Sequence, residues 1–423
     1  MIDIKDIREN PQRYKAGAKA KRIDVDIDRL LEIDGRLLSC RQRLQDIATE
    51  KNSVGKSIPK LADGDKQAAI ARLSTLKEEE GQFNEEAKAL QPEFEALMSQ
   101  TPQPPADEVP LGEDDTQNVE LRRWGVVREF DFEWKDHLEL GAALDIIDVE
   151  RGVKLAGTRN YFLKGDGAML HWAVLRLAMD TMVGKGYTPM AVPLLMKDEA
   201  MQGTGYFPGA EEQTYRMERD GLNLAGTAEV PVTAYHSGEI LAEERLPIKS
   251  VAMSTCFRRE AGAAGKDTRG LYRIHQFDKV EQVIIAENDE EKSKQYHQEI
   301  LSNSEAVMQA LQLPYRVVNV CTGDLGRGQV QKYDIEAWMP SRRGYGETHS
   351  ASRFYEFQAR RMNLRYRTAK KKTVFCHTLN NTVIASPRIL IPILELNQNA
   401  DGSVNVPKVL IPYMQGKDVI RAR

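Results

Sequence analysis

A chain of 423 residues is too long for one ordinary core and calls for two or three domains. With 41% hydrophobic and 29% charged residues it has the balance of a soluble globular protein with a sizeable core. The net charge of −4 neither supports nor excludes a nucleic-acid partner, because local Lys/Arg patches make phosphate contacts.

The first ten residues, Met1 to Asn10, carry acidic residues and no apolar run, so no signal peptide is expected. From about Ile27 to Leu97 the pattern changes. Leu30, Ile33, Leu37, Cys40, Leu44, Ile47, Val54, Ile58 and Leu61 recur in steps of three and four, interrupted only by Lys51. A second seam runs through Ala69, Leu73, Leu76, Phe83, Ala87, Leu90, Phe94 and Leu97, with Glu80 as its one polar member. This is the period of a coiled coil. The turn signal Pro59 to Asp65 separates the seams and predicts one antiparallel helical hairpin. Each arm has about 35 residues, hence roughly 50 Å of helix. Pro92 predicts a kink or a weak turn in the second arm. Such a hairpin serves either as a dimerisation coiled coil or as a probe for an elongated partner. Arg29, Arg36, Arg41, Arg43, Lys51, Lys56 and Lys60 suit a phosphate backbone, or equally a solvated face.

Residues 101–118, opening on Thr101-Pro102-Gln103-Pro104-Pro105, read as a linker, which leaves 1–100 as an N-terminal domain and 119–423 as the body. In the body, strands over Ser250–Arg259 and Gln276–Ala286 mix with helices over Ala168–Val183, Leu301–Leu311 and Ile389–Leu396. Without a regular βαβ beat this predicts an α+β domain on a mostly antiparallel sheet. Walker A and G-x-G-x-x-G patterns are absent from the sequence, so a nucleotide would not bind a P-loop or Rossmann fold in the usual way. The scattered Cys40, Cys256, Cys321 and Cys376 suggest neither disulfides nor zinc, and a reducing cytoplasm is the expected home. No run of about 18 apolar residues predicts a membrane span.

Strand alternation places Arg258 and Glu260 on one face, and Arg273, Phe277 and Glu281 in one register across a small-residue, basic loop. Guanidinium, ring and carboxylate on one surface suit phosphate, adenine and amino group, or else a surface salt-bridge ladder. Thr227 and Glu229, two apart, point to one side of an extended segment, or cap a helix before Val230.

Phe257-Arg258-Arg259-Glu260, the loop, and His275 to Glu281 closely resemble motif 2 of class II aminoacyl-tRNA synthetases in its seryl form. Gly186 to Pro193 resembles motif 1, the dimer-forming element. Gly226-Thr227-Ala228-Glu229-Val230-Pro231 resembles the serine-binding loop. Glu347-Thr348-His349-Ser350 with Phe357 to Arg361 matches the late signature, and Thr378 to Arg388 resembles motif 3. With the hairpin as the tRNA-binding arm, the resemblance to the seryl-tRNA synthetases spans essentially the whole chain.

The resemblance implies a class II catalytic domain and the formation of seryl-adenylate from L-serine and ATP. Transfer to the 3′-hydroxyl of tRNA would follow. The implied ATP site is Arg258, Arg259, Glu260, Arg273, Ile274, Phe277, Glu347, Thr348, His349, Ser350 and Arg388. Arg258 and Arg388 would hold the α- and γ-phosphates as the catalytic arginines, and Glu347 and Ser350 would bind Mg²⁺. The implied serine site is Thr227, Ala228, Glu229, Arg258, Glu281, Asn380 and Thr382. Implied partners are a homodimer mate and a serine-accepting tRNA, with selenocysteine tRNA as a further candidate. Motif 3 departs from its glycine-rich pattern at Thr382 to Arg388. Ser386 and Pro387 read there as N-cap and first helical residue, which puts Arg388 at a helix N-terminus and asks for a kink or later start at Pro392.

Overall fold

Apolar residues on one stripe must find another stripe to cover them, and in the first hundred residues only a second helix offers one. The computed structural model describes residues 2–261 and 269–422. After α1 (Ile4–Glu9) and α2 (Pro11–Ala20), helices α3 (Ile27–Ser57) and α4 (Asp63–Gln100) form the hairpin. The Asp26 carboxylate caps α3 by accepting the Arg29 N–H at 2.8 Å. Leu30, Ile33, Leu37, Cys40 and Ile47 are buried on α3, and Leu76, Leu90 and Met98 on α4. Pro92 does not end the helix. Leu90, Phe94 and Leu97 on either side of it pack against Ile33 and Leu37, and that packing outweighs one missing hydrogen bond. Ile33→Ala should therefore lower hairpin stability by about 2–5 kcal/mol, read by denaturant melts of the full chain.

The basic residues of α3 do not all face solvent unpaired. Arg29 meets Glu93 at 2.8 Å, Arg36 meets Glu86 at 2.6 Å, and Arg43 meets Glu79 at 2.5 Å. Arg72 meets Glu50 at 2.7 Å in the reverse sense. The two polar interruptions of the seams, Lys51 and Glu80, pair with each other at 2.8 Å. Arg29, Arg36, Arg43 and Lys51, which suited either a phosphate backbone or a solvated face, are thus engaged within the hairpin.

The chain divides into the units Met1–Pro104 and Pro105–Arg423. Residues from Pro105 onward pack within the second unit: the Ala106 N–H donates to Val330 O, and Glu108 pairs with buried Arg353 at 2.8 Å. Its main elements are β1 (Val119–Trp124), α5 (Asp166–Gly184), β2 (Thr188–Met190), α6 (Glu229–Ala234), β3 (Ile248–Phe257) and β4 (Gln276–Ala286). They continue with α7 (Glu290–Ala310), β5 (Tyr315–Asn319), β6 (Gln331–Met339), β7 (Gly344–Arg353), β8 (His377–Ser386) and α8 (Leu390–Leu396). The strands form one eight-stranded sheet in the order β1-β5-β6-β7-β8-β4-β3-β2, antiparallel except for the β2–β3 pair. This is the predicted α+β class. The helices α5 and α7 cover one face and bury Leu170, Val174, Ile300, Leu301 and Met308 against Val280, Ile284 and Leu379. With that face committed to core, polar side chains on β4, β7 and β8 are left to line the other.

The end of β8 differs from expectation. Ser386 is its last residue, and α8 starts at Leu390 with Ile389 as N-cap. Neither Ser386 nor Pro387 caps the helix, because the Ser386 hydroxyl is engaged by His171 instead. Pro392 falls in the first turn of α8, where its missing N–H has no intrahelical partner to lose.

Candidate active site

The open face of the sheet holds an inner cavity of about 160 Å³ that leads into a wider cleft of about 950 Å³. Two irregularities in the sheet decide what faces inward. Ile335 pairs with His349 but Glu336 pairs with Glu347, so Thr348 is the extra residue of a bulge in β7. The bulge brings Glu347 to the cavity together with Thr348, Ser350 and Ser352. His349 is turned to the opposite face, where Nε2 meets Val383 O at 3.0 Å and burial lowers its pKa to about 4. A second bulge sits between the pairs Val280–Ile384 and Glu281–Thr382, and it sets those last two side by side on the cavity floor.

Arg258 and Glu260 both line the cavity, but not through strand alternation. The strand ends at Phe257, and Glu260 adopts a left-handed backbone with φ 51°. Such a conformation costs a non-glycine residue about 1–3 kcal/mol and is usually retained at a functional site. Glu260 reaches Arg273 at 3.0 Å, which holds Arg273 at the outer cleft. The Arg258 guanidinium lies over the Phe277 ring at 5.2 Å. Burial works against its charge, but Tyr206, Cys256, Glu260 and Glu347 outweigh that and raise its pKa.

The cavity floor is a set of buried, opposed charges. Lys279 meets Glu281 at 2.5 Å with both side chains over nine-tenths buried, and donates to Thr227 Oγ1 at 2.7 Å. Thr382 Oγ1 donates to Glu281 at 3.3 Å. Glu229 accepts from Gln358 at 2.8 Å and from the Tyr206 hydroxyl at 3.2 Å. Burial, with Glu281 nearby, raises its pKa to about 7. The Asn380 amide nitrogen has no hydrogen-bond partner among the described residues, although Asn380 is 4% exposed and lines the cavity.

Where the inner cavity meets the cleft, Arg388 donates to Tyr272 O at 3.0 Å and to Glu347 O at 2.9 Å, and rests over the Tyr272 ring at 4.3 Å. Burial opposes ionisation of Glu347, but Arg388, Lys332, Arg258 and Arg273 hold its pKa below the usual range. Asp334, cross-strand from Ser350, keeps one carboxylate oxygen without a partner among the described residues. These oxygens fit a magnesium ion that arrives on nucleotide phosphates, which typically needs only one or two protein carboxylates. No group of three acidic, His or Cys side chains able to hold a metal by itself exists among the described residues.

Some expected residues lie elsewhere. The Arg259 side chain is exposed and lines neither space; its N–H donates to Gln213 O. Ala228 is packed with Val232, Ala252 and Val283. Thr227 is not extended beside Glu229: α6 begins at Glu229, and Thr227 Oγ1 accepts the Glu229 N–H at 3.1 Å. It braces Lys279 from behind the cavity wall. Ile274 lines the inner cavity as expected. Residues 262–268 of the basic loop lie outside the described residues.

Sequence reading missed Lys279, Tyr206, Gln358 and His171. Lys279 carried a signal, since it shares the register of Phe277 and Glu281 on β4. His171, on α5, meets Ser386 Oγ at 2.8 Å and Asp278 at 2.9 Å, and so ties the two motif-bearing strands β8 and β4 to that helix. Nothing local in the sequence marks that contact.

Two family profiles match this chain. The seryl-tRNA synthetase N-terminal domain matches residues 1–105, and the class II tRNA synthetase core domain (G, H, P, S and T) matches residues 214–397. The serine–tRNA ligase of Deinococcus radiodurans is 44% identical, with 99% of each chain covered. The chain belongs to the seryl-tRNA synthetase family. Among solved structures, seryl-tRNA synthetase from Pyrococcus horikoshii complexed with ATP superposes with a TM-score of 0.94 at 34% identity over 100% of both chains. Cytoplasmic serine–tRNA ligase from Naegleria fowleri in complex with AMP gives 0.88 at 32% identity, over 98% of this chain and 96% of that one. The seryl-tRNA synthetase fold thus spans both the helical hairpin and the sheet that carries the cavity.

Proposed function

We propose that this protein activates L-serine with ATP as seryl-adenylate and then transfers the seryl group to the 3′-hydroxyl of a serine-accepting tRNA. The observation that carries the amino-acid half is the cavity floor. Glu229 offers a carboxylate to an α-ammonium. Glu281, Thr382 and the unpartnered Asn380 amide offer both acceptors and donors to a short hydroxyl. A site that hydrogen-bonds a hydroxyl rejects an analogue lacking it, because its buried groups are left unpaired; the penalty reaches about 10⁴-fold.

Arg258, central to the cavity, orients the serine carboxylate and the ATP α-phosphate for in-line attack. The carboxylate oxygen bonds to the α-phosphorus and pyrophosphate leaves. Phe277, Glu260 and the Ile274 backbone place the adenine and ribose, with Arg273 at the outer cleft. Arg388 holds the γ-phosphate. Mg²⁺, held by Glu347 and Ser350, would stabilise charge on the leaving pyrophosphate. Thr348 supports that strand, and Thr227 braces the floor through Lys279. Positioning and charge stabilisation carry the step, with little covalent chemistry left to the protein.

The seryl group then passes to tRNA, including selenocysteine tRNA in a cell that has one. The working unit is a homodimer in the cytoplasm. Exposed Trp172 on α5 and Met253 on β3, at 61% and 50%, suit burial in such an interface. No helix among the described residues is long and apolar enough to cross a membrane.

ATP–pyrophosphate exchange with serine, threonine, alanine, glycine and cysteine, with and without tRNA, tests the reading. Serine-dependent exchange without tRNA supports it. Silence with every amino acid would shift the case to a non-catalytic protein on this fold, and exchange without tRNA charging to a paralogue serving another acceptor.

The pKa of Glu229 sets a pH dependence. Raised from its ordinary 4.5 to about 7, it is protonated below neutrality in the empty site, and a neutral carboxyl cannot pair with an ammonium. The value of kcat/KM for serine should fall about tenfold per pH unit below 7 and level off above it. Glu229→Gln should flatten that limb. Stability moves the other way: it is lost as pH rises from the ordinary carboxyl range through 7, because ionisation is disfavoured in the folded state.

A further inference from the structure

Seven residues make two helical turns, so the ion-paired positions 29, 36, 43 and 50 of α3 form one stripe, facing 93, 86, 79 and 72 of α4. That stripe fixes which side of the hairpin is which. The opposite flank has another character. Over residues 38–55 of α3 and 70–91 of α4 it carries Arg41, Lys77 and Lys88, all exposed, and no Asp or Glu. Two carboxylates lie just beyond that stretch: Asp34, neutralised by Arg8 at 2.5 Å, and Glu95, which accepts from Gln91 at 2.7 Å. The paired flank, by contrast, sets each arginine against a glutamate and so offers a polyanion no uncompensated positive charge.

Glycines mark the same flank. Gly55 and Gly81 sit inside long helices, where glycine costs about 1 kcal/mol relative to alanine. A Cβ added at either would meet nothing within 4 Å, so packing inside the hairpin does not demand them. Gly35 is equally open but lies on the back of α3. Small residues on a basic, acid-free stripe permit close approach of a second backbone.

We infer that the Arg41–Lys77–Lys88 flank, and not the ion-paired flank, is the face of the hairpin on which the RNA sugar-phosphate backbone lies. This rests on the reading of tRNA as partner. Free phosphate groups attract these cations regardless of base sequence, so the contact positions the RNA more than it reads it.

The test is tRNA binding by the full-length protein, with a serine-accepting tRNA transcript at several salt concentrations between 50 and 200 mM. Thermal melts and ATP–pyrophosphate exchange are recorded alongside. Arg41→Glu with Lys77→Glu and Lys88→Glu should weaken binding at least ~10-fold and lower the slope of log Kd against log salt by about 2–3. The swap Arg36→Glu with Glu86→Arg, on the other flank, should stay within about twofold of wild type, since it inverts a pair without removing a phosphate contact. Glutamine at the same three positions gives a smaller loss in the same direction, and serves if the acidic set unfolds. Unchanged affinity and slope in both triple variants overturn the inference while the wild type still binds. A wild type with no salt-dependent binding overturns the tRNA reading itself.

Discussion

Arg258→Ala should lower serine-dependent ATP–pyrophosphate exchange by about 10³-fold or more while leaving the melting temperature within a few degrees of wild type. The Arg258 guanidinium lies over Phe277 in the cavity and, among the described residues, makes one long hydrogen bond, from Nε to Gly226 O at 3.4 Å. Its partner carboxylates keep other cations: Glu260 keeps Arg273, and Glu347 keeps Arg388 and Lys332 nearby. Removing the guanidinium therefore orphans no buried charge, and the fold loses little. What is lost is a fixed positive charge at the point where the α-phosphate gains negative charge in the transition state. That loss belongs mainly in kcat. Near-normal exchange, measured with saturating serine and ATP, would remove Arg258 from the mechanism.

Lys279→Met should behave in the opposite way, as a stability variant and a serine-binding variant at once. The ammonium lies 2.5 Å from Glu281, and the two side chains are 7% and 2% exposed. Removing one partner of a buried ion pair leaves the other uncompensated, at about 3–5 kcal/mol. Glu229 sharpens the cost, since Glu281 already opposes its ionisation. A fall in melting temperature of about 5 °C or more is expected for a unit of this size. The KM for serine should rise at least ~10-fold, because Glu281 loses its anchor. Lys279→Met combined with Glu281→Gln should recover much of the stability, with no buried charge left unpaired, but not the serine affinity. Equal stability of the single variant and wild type would show that the pair does not organise the floor.

The sequence alone determined the elements whose signal is local. The hairpin followed from two apolar seams, and even its polar interruptions proved complementary, with Lys51 opposite Glu80. The strand that leads up to Arg258 and the strand that carries Phe277 and Glu281 were readable from alternation and from their resemblance to one family's motifs. Tertiary structure decided the rest, for three physical reasons. A β-bulge adds one residue and reverses every side chain beyond it, so the inward turn of Glu347 and the outward turn of His349 depended on pairing between β6 and β7. The α3 cations found carboxylates 29 to 64 residues away, and only the register of the hairpin could say which of them remained free. Finally, Lys279, Tyr206, Gln358 and His171 gain their roles from contacts that span distant parts of the chain, where no local pattern points to them. Periodicity reports which face of an element is apolar; which polar groups meet across elements is fixed only when the elements pack.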